Sequence, residues 1–164
     1  MKYITLIRHG KAENATKTIN DFKRVLTEKG EADAKLIGEY IKQVLPKVDL
    51  IISSTAFRAL KTAQIIAEQI KFPKEKIKEE NDMYDTNSPF YFDMLTVLPV
   101  TTHHVVLVGH NPEISDFVSL ITNKDTEMGT CNLAHVTVDT FNWEDVDIST
   151  GVLKEFTTPK DLFS

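Results

Sequence analysis

The stretch YITLIRHG, residues 3–10, decides the fold. Its first five residues form a short apolar run, which is typical of a strand buried on both faces of a parallel sheet. Arg8, His9 and Gly10 follow directly, and a buried strand by itself needs no such polar end. We therefore expect a first strand with these three residues at its carboxyl end, which is where α/β folds bind ligands.

Further apolar runs at residues 49–52 and 105–108 predict two more strands of the same kind. Between the strands, apolar residues at helical spacing predict helices over residues 28–45 and 56–70. A third helix is expected after residue 108. Strand and helix thus alternate, and this predicts an α/β fold, a three-layer α/β/α sandwich with a mostly parallel sheet.

The helix boundaries have their own signals. Thr27 is the expected N-cap of the helix over residues 28–45, and Pro46 ends it. Asn111 is the expected N-cap of the third helix, with Pro112 at its first position.

The remaining segments are less regular. Residues 133–139 and 151–157 predict two strands that close the sheet as a hairpin-like or edge pair. Residues 74–99 predict a short strand near Ile77 and a helix after Pro89. No repeat or flexible linker interrupts residues 1–164, so we expect a single domain.

Composition restricts the classes of function. The net charge of −5 disfavours nucleic acid as a partner, since binding to phosphate backbones needs a basic face. The apolar opening is too short for a membrane span or a signal-peptide core, so no membrane association is expected. The single cysteine, Cys131, cannot form an internal disulfide. A cytoplasmic location is the resulting expectation.

Polar residues follow each of the three predicted parallel strands. Arg8 to Gly10 follow the first strand, residues 53–55 follow the second and lead into a helix that carries Arg58, and residues 109–111 follow the third. Because the carboxyl ends of parallel strands meet at one edge, we expect these groups to converge.

Together these residues have the chemistry of an anion trap with a nucleophile inside it. Arginine forks hold phosphoryl oxygens, and a neutral imidazole is a competent nucleophile near pH 7. Two arginines and two helix N-termini can hold a dianion without a metal or any other cofactor. Taken singly, His9, Arg58 and His110 are each explained by an ordinary structural role, and only their combination indicates a catalytic site.

The other histidines and the cysteine are given structural interpretations. His103 and His104 are adjacent, so in a strand they face opposite sides and are expected at the surface or the strand entry. His135 lies in an alternating strand and is expected to be structural. Cys131 has no neighbour in sequence that would activate it.

The motifs resemble those of the histidine phosphatase superfamily, and within it the SixA-type phosphohistidine phosphatases. LIRHGKAE (6–13), RVLTEKGEADA (24–34), SSTAFRALKTAQIIAE (53–68) and LVGHNPEIS (107–115) are similar to its blocks in order and spacing. GVLKEFTTPKDL (151–162) is similar to the tail of the small members. The resemblance covers nearly the whole chain and implies a phosphoglycerate-mutase-like fold.

The resemblance also implies roles for individual residues. His9 would take the phosphoryl group as a phosphohistidine intermediate, while Arg8, Arg58 and protonated His110 would bind its oxygens. The full set of implied substrate-binding residues is Arg8, Arg58, His110, Asn111, Gly10 and, as a shaper of the loop over the pocket, Arg24. A backbone carbonyl or similar acceptor is expected to hold the proton on the other nitrogen of His9.

The general acid of larger relatives has no clear counterpart here. Their acid lies in a long insertion, whereas the corresponding segment of this chain reads KIKEENDMYDTNSP, residues 76–89. Asp85 and Asp82 are the first candidates, ahead of Glu79 and Glu80, and a solvated acidic loop is the competing interpretation.

The predicted function is a metal-independent phosphatase that acts on phosphohistidine in proteins. No insertion is long enough to form a lid, and an open pocket favours a phosphorylated protein over a small phosphate-containing substrate. A small-molecule phosphomonoesterase of the same chemistry is the alternative. A non-catalytic module that binds phosphorylated ligands is the alternative from another class.

Because arginines and helix N-termini replace a metal in this scheme, phosphatase turnover should be insensitive to EDTA. Vanadate should inhibit, since it fits the same anion site. The measurement is the hydrolysis rate of p-nitrophenyl phosphate with each additive. A loss of rate in EDTA that Mg²⁺ restores would contradict the prediction.

Overall fold

A six-stranded mixed sheet forms the centre of the molecule, in a computed structural model that describes residues 1–163. The strands are β1 (Lys2–Arg8), β2 (Leu50–Ser54), β3 (Lys78–Glu80), β4 (His104–Gly109), β5 (Leu133–Val138) and β6 (Gly151–Thr157). Their order across the sheet is β3-β2-β4-β1-β5-β6. The first four in this order are parallel, and β5 runs antiparallel to both β1 and β6.

Five helices flank this sheet. They are α1 (Glu28–Val44), α2 (Phe57–Ile70), α3 (Pro89–Thr96), α4 (Glu113–Thr122) and α5 (Pro159–Leu162). Short 3₁₀ turns occupy Asp21–Lys23, Lys74–Lys76, Asn81–Met83 and Trp143–Asp145. None of the helices within residues 1–163 combines the length and the apolar character that crossing a membrane requires.

Alternation of side chains along the strands gives each face of the sheet its own core. Ile4 and Leu6 of β1 pack on one face, in the cluster that includes Ile114 and Phe117 of α4. Ile7 packs on the other, in the cluster that includes the apolar sides of α1 and α2. The predicted three-layer α/β/α architecture is therefore confirmed, as is the antiparallel pair of strands at one edge.

Local signals for the helices are confirmed in most places. The Thr27 hydroxyl accepts from the backbone N–H of Gly30, and α1 ends two residues before Pro46. The start of α4 differs from the prediction, since the helix begins at Glu113 with Pro112 as its cap residue. Asn111 does not cap the helix, because its side-chain oxygen accepts from the Ser115 hydroxyl instead (2.6 Å).

His104 lies in the core and not at the surface, which corrects the expectation for this residue. The side chain is fully buried on β4, whereas the neighbouring His103 is exposed. Nδ1 of His104 donates to the carbonyl oxygen of Pro46 (2.8 Å), and Nε2 accepts from the Thr5 hydroxyl (2.7 Å). Nδ1 of His135 in turn donates to that hydroxyl oxygen (2.8 Å). His104 is buried because these partners satisfy both of its ring nitrogens.

Burial holds the histidines of this cluster in the neutral form. It lowers the pKa of His104, and burial together with the nearby His104 lowers the pKa of His135 to about 4. The unfolded chain binds the corresponding proton near pH 6.5. Between those two values the unfolded state holds more protons than the folded state, so stability falls as the pH falls.

His135→Asn should therefore flatten the pH dependence of the unfolding free energy between pH 6.5 and 4. Asn keeps a polar group near the position of Nδ1 but does not titrate. We expect the loss of unfolding free energy between pH 6.5 and 4 to be smaller in the variant than in the wild type by about 1 to 3 kcal/mol. The measurement is urea unfolding at a series of pH values, and the control is His103→Asn at the exposed neighbouring position. Parallel curves for wild type and His135→Asn would contradict the assignment.

Candidate active site

The carboxyl ends of β1, β2 and β4 bring the predicted residues together. Arg8 pairs with Gly109 in the register of β1 and β4, and His9 and His110 follow these two residues. The two imidazole rings lie with their centroids 5.2 Å apart. Arg58 joins them from the first turn of α2. The convergence expected from the parallel topology is thus present.

The hydrogen bonds of His9 fix its tautomer. Nδ1 lies 2.7 Å from the carbonyl oxygen of Gly10, which can only accept, so this nitrogen carries the proton. Nε2 is the unprotonated nitrogen and accepts from Nε of Arg58 at 3.3 Å. The expected carbonyl acceptor is confirmed, and Nε2 is left with the lone pair that a nucleophile needs.

The surroundings keep His9 neutral. Burial is the main cause of a pKa lowered to about 4, and the positive charges of Arg58, Arg8 and Arg24 lower it further. The hydrogen bond to the Gly10 carbonyl acts in the opposite direction. At neutral pH the imidazole is therefore in its nucleophilic form.

His110 is also neutral, which differs from the protonated state expected for it. Burial, His9 and Arg58 lower its pKa to about 3. Nε2 is hydrogen-bonded to the Ser54 hydroxyl (2.8 Å) at the end of β2. The physical reason for the difference is that cationic neighbours and desolvation both disfavour an imidazolium here.

Two buried nitrogens at this site are without a hydrogen-bond partner among residues 1–163. They are Nε of Arg8 and Nδ1 of His110. The Arg8 guanidinium is otherwise held by the carbonyl oxygen of Met128 (3.2 Å). A buried donor without a partner is costly, so Nε of Arg8 is suited to an acceptor such as a phosphoryl oxygen, and Nδ1 of His110 is suited to the same role when it carries a proton.

The structure shows packing and loop contacts for Gly10 and Asn111, two of the predicted substrate-binding residues. An added Cβ on Gly10 would lie 2.9 Å from the carbonyl oxygen of Gly30, so the close approach is to α1. The Asn111 amide donates to the carbonyl oxygen of Met128 (2.7 Å). Asn111 thus supports the same loop that holds Arg8.

Arg24 and the candidate acids lie further out. Nε of Arg24 donates to the carbonyl oxygen of Glu13 (2.7 Å), which ties together two parts of the loop between β1 and α1. Asp82 and Asp85 are exposed, as is Glu79, and Glu80 accepts from the backbone of Asp82. In the described chain, no hydrogen bond joins these four carboxylates to His9, His110 or Arg58.

Sequence reasoning missed Asp21 and Tyr84. The carbonyl oxygen of Asp21 accepts from Nη1 of Arg58 (2.7 Å), and its carboxylate accepts from Nη2 (3.2 Å). The Tyr84 hydroxyl donates to the same carboxylate (2.6 Å). The spacing of Asp21 and Arg24 by three residues was a weak local signal. The contact with Tyr84, 63 residues away, left no signal in the sequence.

An aromatic wall, which we define as Phe22, Phe57 and Tyr84, lies beside these groups. The ring of Phe22 packs edge-to-face against Tyr84 (5.0 Å) and Phe57 (5.9 Å). Tyr84 packs against His110 in the same way (5.7 Å). The pocket therefore has a cationic floor and one aromatic side.

Within residues 1–163 there is no group of three or more His, Cys, Asp or Glu side chains that could hold a metal ion. The side chains at the site are arginines and histidines held by protein hydrogen bonds.

The fold and this arrangement define a class of protein. Over 98% of this chain and 99% of the other, the structure superposes on the protein histidine phosphatase SixA complexed with tungstate, with a TM-score of 0.85 and 19% identity. The SixA protein from Agrobacterium tumefaciens gives a TM-score of 0.82 with 27% identity over 96% of this chain and 98% of that one. The fold is that of the phosphoglycerate-mutase-like α/β proteins.

The sequence itself identifies the family. Residues 4–86 match the profile of the Histidine phosphatase superfamily (branch 1). The chain belongs to the histidine phosphatase superfamily, as the motifs predicted.

Curated relatives match over a smaller share of their length. The mitochondrial serine/threonine-protein phosphatase Pgam5 of Drosophila willistoni is 38% identical over 117 residues, which is 71% of this chain and 35% of that protein. The Drosophila persimilis protein of the same name is 39% identical over 77 residues, 47% of this chain and 26% of that protein. The chain spans about a quarter to a third of the length of these relatives.

The lowered pKa of His9 predicts how its ring titrates. We expect the ring protons of His9 to keep their neutral chemical shift as the pH falls from 7 to about 5, because burial and the arginines oppose protonation. Proton–nitrogen NMR of ¹⁵N-histidine-labelled protein measures this and also reports the Nδ1–H tautomer. A peptide histidine serves as the reference. A midpoint near 6.5 for His9 would contradict the electrostatic description.

Proposed function

We propose that the protein is a metal-independent phosphatase in which His9 carries the phosphoryl group and whose substrate is phosphohistidine in proteins. The supporting observation is the neutral His9, whose Nε2 faces Arg58 while its Nδ1 proton is held by the Gly10 carbonyl. The anion site around it, formed by Arg8, Arg58 and His110, supplies the positive charge that a phosphoryl group requires.

The proposed reaction consists of two displacements at phosphorus. In the first, the lone pair on Nε2 of His9 forms a bond to phosphorus while the bond to the leaving group breaks and its electron pair departs with that group. In the second, a water oxygen attacks phosphorus, the bond to Nε2 breaks with its electron pair returning to that nitrogen, and the water gives one proton to solvent as inorganic phosphate forms. His9 returns to its starting tautomer, and the Gly10 carbonyl holds the Nδ1 proton throughout.

The anion site stabilises charge on the phosphoryl oxygens in both displacements. Arg8 and Arg58 are fixed by the protein, so little reorganisation is needed when charge moves. A dianion next to His110 raises the pKa of this residue, since it reverses the local electrostatics that now lower it. In this proposal His110 becomes a cation only in the complex and then donates through Nδ1.

Leaving-group chemistry supports phosphohistidine as the substrate. An alkoxide leaving group needs a proton from an acid, which contributes about 10²- to 10⁴-fold. Imidazole departs as a neutral molecule when its other nitrogen carries a proton. Asp82 and Asp85 remain candidate acids, but both are exposed and hydrogen-bond to none of the core site residues within the described chain. The phosphomonoesterase alternative depends on such an acid.

Partners and location are part of the same proposal. A phosphorylated protein is the proposed partner, and the structural similarity to SixA proteins supports this choice. We propose a cytoplasmic location because the single cysteine, Cys131, is a buried free thiol, which agrees with a reducing compartment. The curated relatives are named as mitochondrial, so fractionation of cells that express the tagged chain is the direct measurement.

His9→Ala should abolish turnover while the fold is retained, because the side chain lies at the pocket and not in either core cluster. Wild-type protein quenched during turnover of ³²P-labelled substrate should carry phosphate that is labile in acid and stable in base. Circular dichroism of the variant controls for folding. Substantial activity in His9→Ala, or label that is stable in acid, would contradict the covalent mechanism.

A further inference from the structure

One carboxylate on the rim of the pocket has three hydrogen-bond donors around it. Asp21 accepts from Nη2 of Arg58 (3.2 Å), from the Tyr84 hydroxyl (2.6 Å) and from Nη1 of Arg24 (3.0 Å). Its side chain is nevertheless 52% exposed, so part of the carboxylate is accessible to a ligand bound beside Arg58. The two proposed displacements at phosphorus give this carboxylate no role.

The position of Asp21 relative to the nucleophile follows from the geometry of arginine. Nε and Nη2 form one edge of the guanidinium fork, the edge that binds two oxygens of an anion side by side. In Arg58, Nε contacts His9 and Nη2 contacts Asp21. The carboxylate is therefore separated from the attacking nitrogen by one guanidinium edge. In an in-line displacement the leaving group departs on the side opposite the nucleophile.

The charge state of Asp21 determines what it can do there. Hydrogen bonds from Tyr84 and Arg24 and the charge of Arg58 lower its pKa to about 2, although burial acts in the opposite direction. At neutral pH it is an anion that accepts hydrogen bonds, and it cannot serve as a general acid. A carboxylate in this state attracts a leaving group with an N–H and repels one with its own negative charge.

We infer that Asp21 is the specificity-determining residue of the pocket, and that its carboxylate accepts the N–H of a departing imidazole while it disfavours leaving groups that carry a carboxylate. The inference rests on the proposed function. The phosphorylated imidazole carries a proton on its second nitrogen, and Asp21 accepts that hydrogen bond. When the P–N bond breaks, the electron pair remains on the imidazole nitrogen, and the ring leaves neutral with its proton in place.

The aromatic wall fits the same substrate. Tyr84 presents its ring beside His110, and the Phe57 side chain is 45% exposed at the same rim. A planar imidazole can pack against these rings while its N–H points toward Asp21. The carboxylate of a leaving group such as glycerate, which has no N–H, would instead meet the like charge of Asp21.

The experiment compares kcat/KM for three substrates: a phosphohistidine peptide, p-nitrophenyl phosphate and 3-phosphoglycerate. p-Nitrophenyl phosphate has neither an N–H nor a carboxylate on its leaving group. Its kcat/KM therefore reports any indirect effect that a substitution of Asp21 has through Arg58 and His9. In Asp21→Asn, the ratio of phosphohistidine to p-nitrophenyl phosphate should fall about 10- to 100-fold, as expected for the loss of a charged hydrogen bond. The ratio of 3-phosphoglycerate to p-nitrophenyl phosphate should rise, because the like charge at position 21 is removed.

Two further variants complete the design. Asp21→Glu keeps the charge and should retain most of the preference for phosphohistidine. Asp139→Asn is the matched control, because Asp139 is exposed and follows β5 at the end of the sheet opposite His9. Its ratios should equal those of the wild type.

The outcomes separate the inference from the proposed function. Unchanged ratios in Asp21→Asn, with all three rates lowered together or all three retained, would show that Asp21 at most positions Arg58 and would overturn the inference alone. Wild-type protein that hydrolyses none of the three substrates would overturn the proposed function and the inference together.

Discussion

The hydrogen bond between Nδ1 of His9 and the carbonyl oxygen of Gly10 (2.7 Å) is the interaction on which the rest of the site depends. It assigns the proton to one nitrogen and leaves the other as a nucleophile. The carbonyl is itself held in place, because the N–H of Gly10 donates to the Thr62 hydroxyl of α2 and its Cα packs against Gly30 of α1. Both helices on that face of the sheet therefore contribute to the tautomer of one imidazole.

The positive charge of the pocket is limited by burial, although the protein as a whole is acidic. The chain has a net charge of −5, yet Arg8 and Arg58 face two histidines at one sheet edge. Desolvation keeps both histidines neutral, so the pocket holds two fixed positive charges and two neutral imidazoles. Because His110 can gain a proton when an anion arrives, the charge of the site is able to adjust to the charge of its ligand.

Arg58 connects the chemistry to the loops around it. One edge of its guanidinium contacts His9 and Asp21, and Nη1 donates to the backbone of Asp21. Through the Tyr84 hydroxyl the same carboxylate joins the loop between β1 and α1 to the segment after β3. This contact places a negatively charged carboxylate next to the Arg58 guanidinium.

The sequence by itself determined the three parallel strands and the helices between them, because the alternation of apolar runs and helical patterns is local. It also determined the convergence of His9, Arg58 and His110, because the carboxyl ends of parallel strands meet at one edge of the sheet. It also supplied the motifs that identify the superfamily. Only the tertiary structure decided that His104 is buried, that Gly10 packs on α1, that His110 is neutral, and that Asp21 meets Tyr84. These properties depend on desolvation and on contacts between segments far apart in the chain, and neither leaves a periodic trace in the order of the residues.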